Sequence, residues 1–285
     1  MESVKICVAA ITAGVVCIAV MLGILSAAIY AENESGDSFI GLMYHQVLKD
    51  ESRAGKYIIT PNELESDLAY LSENGYVSVL PSQLVKIREQ GGRLPEKTVV
   101  ITFDDGYETG LYYVLPLLKK YGMKAVINVV GSYTDEYSQI NEEGRHLSYA
   151  YLTWDEIRKL SDSGYVEIGN HTYNMHSYNG DRNGCARKEN ESDEQYRTVL
   201  YEDVSRLSDK LQQVTGKRPV AFAYPFGSLC EGSAEIIGSA GISVFMTCCE
   251  QPCSMNRNGR IVINRYNRES GRTARQICEE FNNAF

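Results

Sequence analysis

Val99-Val100-Ile101-Thr102-Phe103-Asp104-Asp105-Gly106 is the stretch on which the reading of this chain turns. An apolar run ends in two adjacent carboxylates and a glycine. A short run of this kind, bounded by turn residues, reads as a fully buried strand, and its end delivers two acids to a surface. In sheets of parallel strands, ligands sit beyond the carboxyl ends of the strands. Asp-Asp-Gly is also ordinary turn vocabulary, because Asp and Gly both suit the tight conformations after a strand. Whether other residues converge on the same place decides between the two.

Outward from this stretch, strands and helices alternate. Residues 39–45 read as a strand ending in His45, and residues 125–130, 166–169, 220–224, 242–247 and 261–263 read as further strands. Thr60 and Glu63 have capping-box spacing with Pro61 at the first helical position. Thr153 with Glu156 and Ser192 with Gln195 repeat the box. Leu64, Leu68 and Leu71 recur at helical spacing, as do Leu200, Val204, Leu207, Leu211 and Val214. A helix, a glycine and a strand follow one another at Gly75, Gly122, Gly164 and Gly241, where glycine supplies the left-handed turn that ends a helix. Repeated βα units predict parallel strands ringed by helices. The expected fold class is therefore α/β, a deformed (β/α) barrel of about seven parallel strands.

The chain has 285 residues, 44% of them hydrophobic and 23% charged, with a formal net charge of −9. A nucleic-acid binder would want a basic stripe, and none is visible. Residues 6–31 carry no charge, and a run of about 20 apolar residues suffices to span a bilayer. The expectation is an N-terminal segment, residues 1–31, that is either a retained transmembrane anchor or a signal peptide cleaved near Ser26-Ala27-Ala28. A polar linker, residues 32–38, follows, and residues 39–285 form the main domain. On this reading the domain is extracytoplasmic and membrane-anchored at the cell surface, or secreted if the segment is cleaved. Cys185, Cys230, Cys248, Cys249, Cys253 and Cys278 would then face an oxidising space where disulfides are allowed. Cys248, Cys249 and Cys253 read as disulfide partners or buried thiols rather than a zinc knuckle.

The chain has four histidines, and two of them stand close together in His171-Thr172-Tyr173-Asn174-Met175-His176. Two imidazoles and a carboxylate are a ligand set for a catalytic divalent ion with open positions. Residues five apart on a continuous helix point about 140° from each other, so both rings can meet one ion only if the segment is a loop. Here it follows a predicted strand.

The strand-end acids and this histidine pair together resemble the polysaccharide deacetylase family (NodB-homology domain, carbohydrate esterase family 4). Thr102-Phe103-Asp104-Asp105-Gly106 matches the family's first motif, and His171-Thr172 matches the start of its second. The resemblance extends over most of residues 39–285. It implies that Asp104 is the general base and that Asp105, His171 and His176 bind a divalent metal, most often zinc. The family's histidines are usually four apart, whereas these are five apart. The third motif, Arg-x-Pro-Tyr, corresponds to Ala223-Tyr224-Pro225-Phe226, so the arginine that orients the base is replaced by Ala223. Arg265, after a late strand, is the candidate substitute. The backbone N–H of Phe226 can still serve as an oxyanion donor. The family's late histidine acid is absent, and His45, at a predicted strand end, is the candidate for that role or for a reserve ligand or cleft residue.

The implied activity is removal of acetyl groups from an N-acetylated cell-surface polysaccharide, such as an N-acetylglucosamine polymer or peptidoglycan, with release of acetate. The expected partners are that polysaccharide and, through the N-terminal segment, the membrane, with no nucleic acid. Two other readings stay open: an O-acetyl esterase on the same fold, and a catalytically impaired, membrane-tethered carbohydrate-binding protein.

Overall fold

The computed structural model describes residues 37–179, 182–256 and 259–283. The strands that build its principal sheet are β1 (Ser38–Tyr44), β2 (Val77–Ser78), β3 (Thr98–Phe103), β4 (Ala125–Val129), β5 (Val166–Asn170), β6 (Ala221–Ala223), β7 (Val244–Met246), β8 (Cys253–Ser254), β9 (Ile261–Ile263) and β10 (Tyr266–Asn267). Their order is β8-β1-β3-β4-β5-β6-β7-β9, with β2 added to β3 and β10 added to β1. The helices are α1 (Pro61–Glu73), α2 (Pro81–Glu89), α3 (Leu115–Tyr121), α4 (Gly131–Tyr137), α5 (Trp154–Asp162), α6 (Asp193–Thr215), α7 (Ser233–Ser239) and α8 (Ala274–Asn283).

The expectation of parallel strands alone is corrected at one point. After β7 the chain doubles back, so that Ser38 and Phe39 of β1 pair with Ser254 and Cys253 in antiparallel register. The main sheet is therefore mixed. Its two ends, β8 and β10 on β1 and β9 on β7, all come from one stretch of chain. The sheet thus nearly closes on itself as a barrel.

Register puts the chemistry at one rim. Tyr44 pairs with Phe103, Val129 with Asn170, Ala223 with Met246, and Met246 with Ile263. The residue after each of these strands therefore emerges beside its neighbour's. All six residues of β3 are buried, as a strand covered on both faces requires.

The helices start where the capping boxes stand. Thr60, Thr153 and Ser192 each accept a hydrogen bond from the backbone N–H three residues on, and each donates its own backbone N–H to the side chain of that residue. Leu64, Leu68 and Leu71 of α1 pack with Ile101 and Phe103, and Leu207 and Leu211 of α6 join the same core. Leu200 and Val204 of α6 pack in a second cluster with Phe222 and Tyr224. Buried Asp67 on α1 ties the sheet's end together. It accepts from the Tyr44 hydroxyl at 3.1 Å, from Arg268 Nε at 2.6 Å and from the Ala274 backbone at 2.8 Å.

Two further expectations are corrected here. The proposed anchor or signal segment, residues 1–31, lies outside the described residues. Among the described residues no helix is long and apolar enough to cross a membrane. The longest, α6, has the length but carries charged residues around its solvent face. The membrane-spanning architecture, the membrane contact and the cell-surface location that rested on it are not carried forward. Nor do the cysteines pair: Cys185, Cys230, Cys248, Cys249, Cys253 and Cys278 are all free thiols.

Candidate active site

Asp104 and Asp105 leave the end of β3, where consecutive side chains would ordinarily point to opposite faces. Asp105 escapes that alternation with φ at +72°, and Gly106 follows at the same φ. Any side chain at Gly106 would also press on Val129, 3.0 Å from where its Cβ would sit. The left-handed turn brings both carboxylates to one cleft of about 490 Å³, which His45, His171, His176 and Phe226 also line.

Asp104 is buried, and its oxygens are unequally occupied. Oδ1 accepts from Asn128 Nδ2 at 2.7 Å and from Arg265 Nη1 at 2.7 Å, whereas Oδ2 accepts from Arg265 Nη2 at 2.8 Å. Arg265 is fully buried, and its remaining donors reach the Thr247 carbonyl and the Thr102 hydroxyl. This is a forked, charge-assisted pair, the geometry that guanidinium offers and ammonium does not. Burial pushes the Asp104 carboxyl up, but Arg265, with help from His171, more than reverses this and holds it down at about 2.

Asp105 faces both imidazoles. Its Oδ1 lies 3.1 Å from His176 Nε2 and 3.5 Å from His171 Nε2. One ligand atom from each of the three residues falls within 4.8 Å of the others. His171 Nδ1 donates to the Ala223 carbonyl at 2.8 Å, which leaves its Nε2 facing Asp105. That second hydrogen bond fixes tautomer and ring orientation, as metal-binding histidines require. Two imidazole nitrogens and one carboxylate, converging with open space beside them, fit a divalent ion. Burial raises the Asp105 carboxyl, yet hydrogen bonds from His171 and His176 bring it well below the ordinary carboxylate range.

The five-residue spacing of the histidines is absorbed by a loop. Thr172 sits at φ +73°, costly for a β-branched residue by about 1–3 kcal/mol. Its N–H donates to Asn170 Oδ1, and its hydroxyl accepts from the Met175 backbone. The His176 ring comes within 4.8 Å of the His171 ring and 4.7 Å of the Phe226 ring. Tyr133 donates to the His176 carbonyl at 2.9 Å. Among the described residues the non-glycine positions with positive φ are Asp105, Thr172 and Phe226, all at or beside this cleft. Such strain persists where surrounding structure over-determines it, and it clusters at working sites.

The other residues singled out from sequence lie nearby. His45 follows β1, immediately beside Asp104, whose N–H donates to the Tyr44 carbonyl. The His45 Nδ1 is buried without a partner, and its ring meets Tyr57 edge-on. Burial holds its pKa below the ordinary histidine value despite the pull of Asp105 and Asp104. Phe226 turns through φ +56° and leaves its ring half exposed at the mouth. His146 is exposed and apart from the cleft lining.

Sequence reasoning passed over Asn128 and Tyr107, and it read Cys248 as a disulfide partner or buried thiol rather than as part of the cleft. Asn128 carried a signal, because an amide in the middle of Ala125-Val126-Ile127-Asn128-Val129 is out of place in a buried strand. Tyr107 and Cys248 carried none, since they reach the cleft only through the fold.

The profile of the polysaccharide deacetylase family matches residues 91–245. The chain belongs to the polysaccharide deacetylase family. Among sequence relatives of this deacetylase-family chain, the poly-β-1,6-N-acetyl-D-glucosamine N-deacetylase of Escherichia coli K12 is 27% identical over 230 residues. That match covers 74% of this chain and 34% of the relative. The chain thus spans about a third of that relative's length. The enzyme of the same name from Staphylococcus aureus MRSA252 is 22% identical, with 80% of this chain and 77% of the relative covered. Among solved structures, a de-N-acetylase from Aggregatibacter actinomycetemcomitans superposes with a TM-score of 0.74 at 28% identity, covering 85% of this chain and 99% of the other. IcaB from Ammonifex degensii gives 0.68 at 25% identity, covering 86% and 97%.

Proposed function

We propose that residues 39–285 are the catalytic domain of a metal-dependent deacetylase acting on an N-acetylglucosamine-type polysaccharide and releasing acetate. The observation that carries this reading is the convergence of Asp105, His171 and His176 within 4.8 Å of one another, beside an Asp104 that Arg265 keeps ionised. The substrate class follows the names of the relatives from E. coli and S. aureus.

Each residue has a task. Asp104 takes a proton on Oδ2, the oxygen with a single hydrogen bond. Arg265 supplies the orientation that Ala223 cannot. The same contact makes Asp104 a weak base. Asp105, His171 and His176 would hold a divalent ion, zinc matching the donor set, and such an ion would supply what that base lacks: positive charge to polarise the acetyl carbonyl and acidify water. The Phe226 backbone N–H offers a preorganised donor to the developing oxyanion. His45, in its protonated form, would deliver a proton to the leaving nitrogen; burial disfavours that form and so favours the release. The catalytically impaired reading rested on a missing arginine and a missing late histidine; an arginine holds Asp104 from another strand end, and His45 is the candidate for the second role.

The test is acetate release by the purified protein from poly-β-1,6-N-acetylglucosamine, chitin oligomers and peptidoglycan, before and after chelation. Activity on one of these polymers, lost with chelator and restored by zinc, is expected. A protein without a stoichiometric divalent metal whose Asp105→Ala variant behaves as wild type overturns the proposal. For His45, the expected result of His45→Ala is loss of the alkaline limb of the pH–rate profile. An unchanged limb removes His45 from the role of acid.

A further inference from the structure

Asp203 lies on α6, outside the cleft, and in no motif of the site. Its carboxylate spends both oxygens on the loop between the two histidines. Oδ1 accepts from the Tyr173 backbone N–H at 2.7 Å, and Oδ2 accepts from the Asn174 backbone N–H at 2.8 Å. We propose that Asp203 is a positioning residue for His176. It clamps the left-handed loop that carries this histidine the extra residue round to Asp105.

The geometry separates the two histidines. His171 is held by the sheet itself. Its N–H donates to the Val129 carbonyl at 3.0 Å, and its ring is anchored on Ala223. His176 has no strand beneath it. Its chain leaves β5 at Asn170, turns at Thr172 with φ +73°, and must be told where to go over the next four residues. Asn170 starts the turn. Its amide is itself tied to the Val204 carbonyl and the Ser208 hydroxyl of α6, at 2.9 and 3.0 Å. Asp203 then fixes the middle of the turn from the same helix. One rigid element, α6, sets the path of the loop at two successive points. Tyr133 secures the far end.

A carboxylate suits this place because successive backbone N–H groups in a turn point the same way and need an acceptor with two oxygens. Burial raises the Asp203 carboxyl somewhat, and the two N–H bonds with nearby Arg206 and Arg182 oppose that rise. The clamp acts through backbone, so its loss loosens one ligand and spares the others.

The inference rests on reading Asp105, His171 and His176 as a metal site, and the experiment separates the two. Zinc affinity of the full chain is measured by competition with a chromophoric chelator for wild type, His176→Ala, Asp203→Ala and the double variant. Thermal unfolding of the metal-free proteins is followed alongside. Partners that orient a ligand typically contribute about 10- to 100-fold to metal affinity. Asp203→Ala is expected to weaken zinc by about that factor and to cause no further loss once His176 is already alanine. Asp203→Asn keeps the volume and one acceptor but meets the second N–H with a donor, and it is expected to fall between. It stands in if the alanine variant does not fold. Wild-type affinity in the Asp203 variants, or an equal loss in the His176→Ala background, overturns the inference. Failure of wild type to bind zinc, or of His176→Ala to weaken it, overturns the metal reading instead.

Discussion

Asp104→Asn is expected to lower the rate of acetate release by about 10²- to 10⁴-fold, while zinc affinity stays at the wild-type value. The substitution keeps the shape and removes the basic oxygen. Asp105 and the histidines are untouched, so the loss should fall on kcat and leave the bound metal in place. Acetate assay and metal content of the same preparation decide the matter. A variant that loses zinc together with activity would make Asp104 a ligand rather than a base.

Arg265→Met is expected to do two kinds of damage. It strands a buried carboxylate, and removing one partner of a buried pair costs about 3–5 kcal/mol, read as a lower urea midpoint. It also frees Asp104 from the charge that holds its pKa down at about 2. The sign follows directly. A carboxylate whose folded pKa lies below its unfolded value, about 3.9, contributes stability that is present above the unfolded value. That stability is lost as pH falls through the folded one. In wild type this contribution therefore persists at neutral pH and disappears between about pH 4 and pH 2. In Arg265→Met that acid-dependent component should vanish, because burial alone raises the group. The acid limb of the rate profile should move to higher pH in the same variant. An unchanged limb with a lowered urea midpoint would make Arg265 structural only. Arg265→Lys should rescue charge but not the fork, and so recover stability more than rate.

The local parts of this site could be read from sequence because they are written locally. Val99–Phe103 announces its strand, the capping boxes at Thr60, Thr153 and Ser192 announce their helices, and Asp104-Asp105-Gly106 announces its turn. His171 and His176 stood out because histidines are scarce in this chain. What sequence could not convey is partnership across the fold. Arg265 meets Asp104 from 161 residues away, and it drew attention only because Ala223 stands where the family has an arginine. Asp203 serves His176 through backbone groups, which leave no trace in the identity of the residues they belong to. The antiparallel pairing of β8 was hidden for another reason: two residues are too few to show an alternation.

The near-closure of the sheet ties the site to the seam of the barrel. The three residues that face one another at Asp105 come from β3, β5 and the loop after β5. Arg265 belongs to the closing stretch that pairs back onto β1 at both β8 and β10. Along the chain the proposed metal ligands all precede the arginine that holds Asp104. The seam of the barrel and the Arg265–Asp104 contact therefore depend on the same stretch of chain. On the proposed reading, a chain whose carboxyl-terminal stretch did not dock would lack the arginine that holds Asp104, whatever became of the three residues that meet at Asp105.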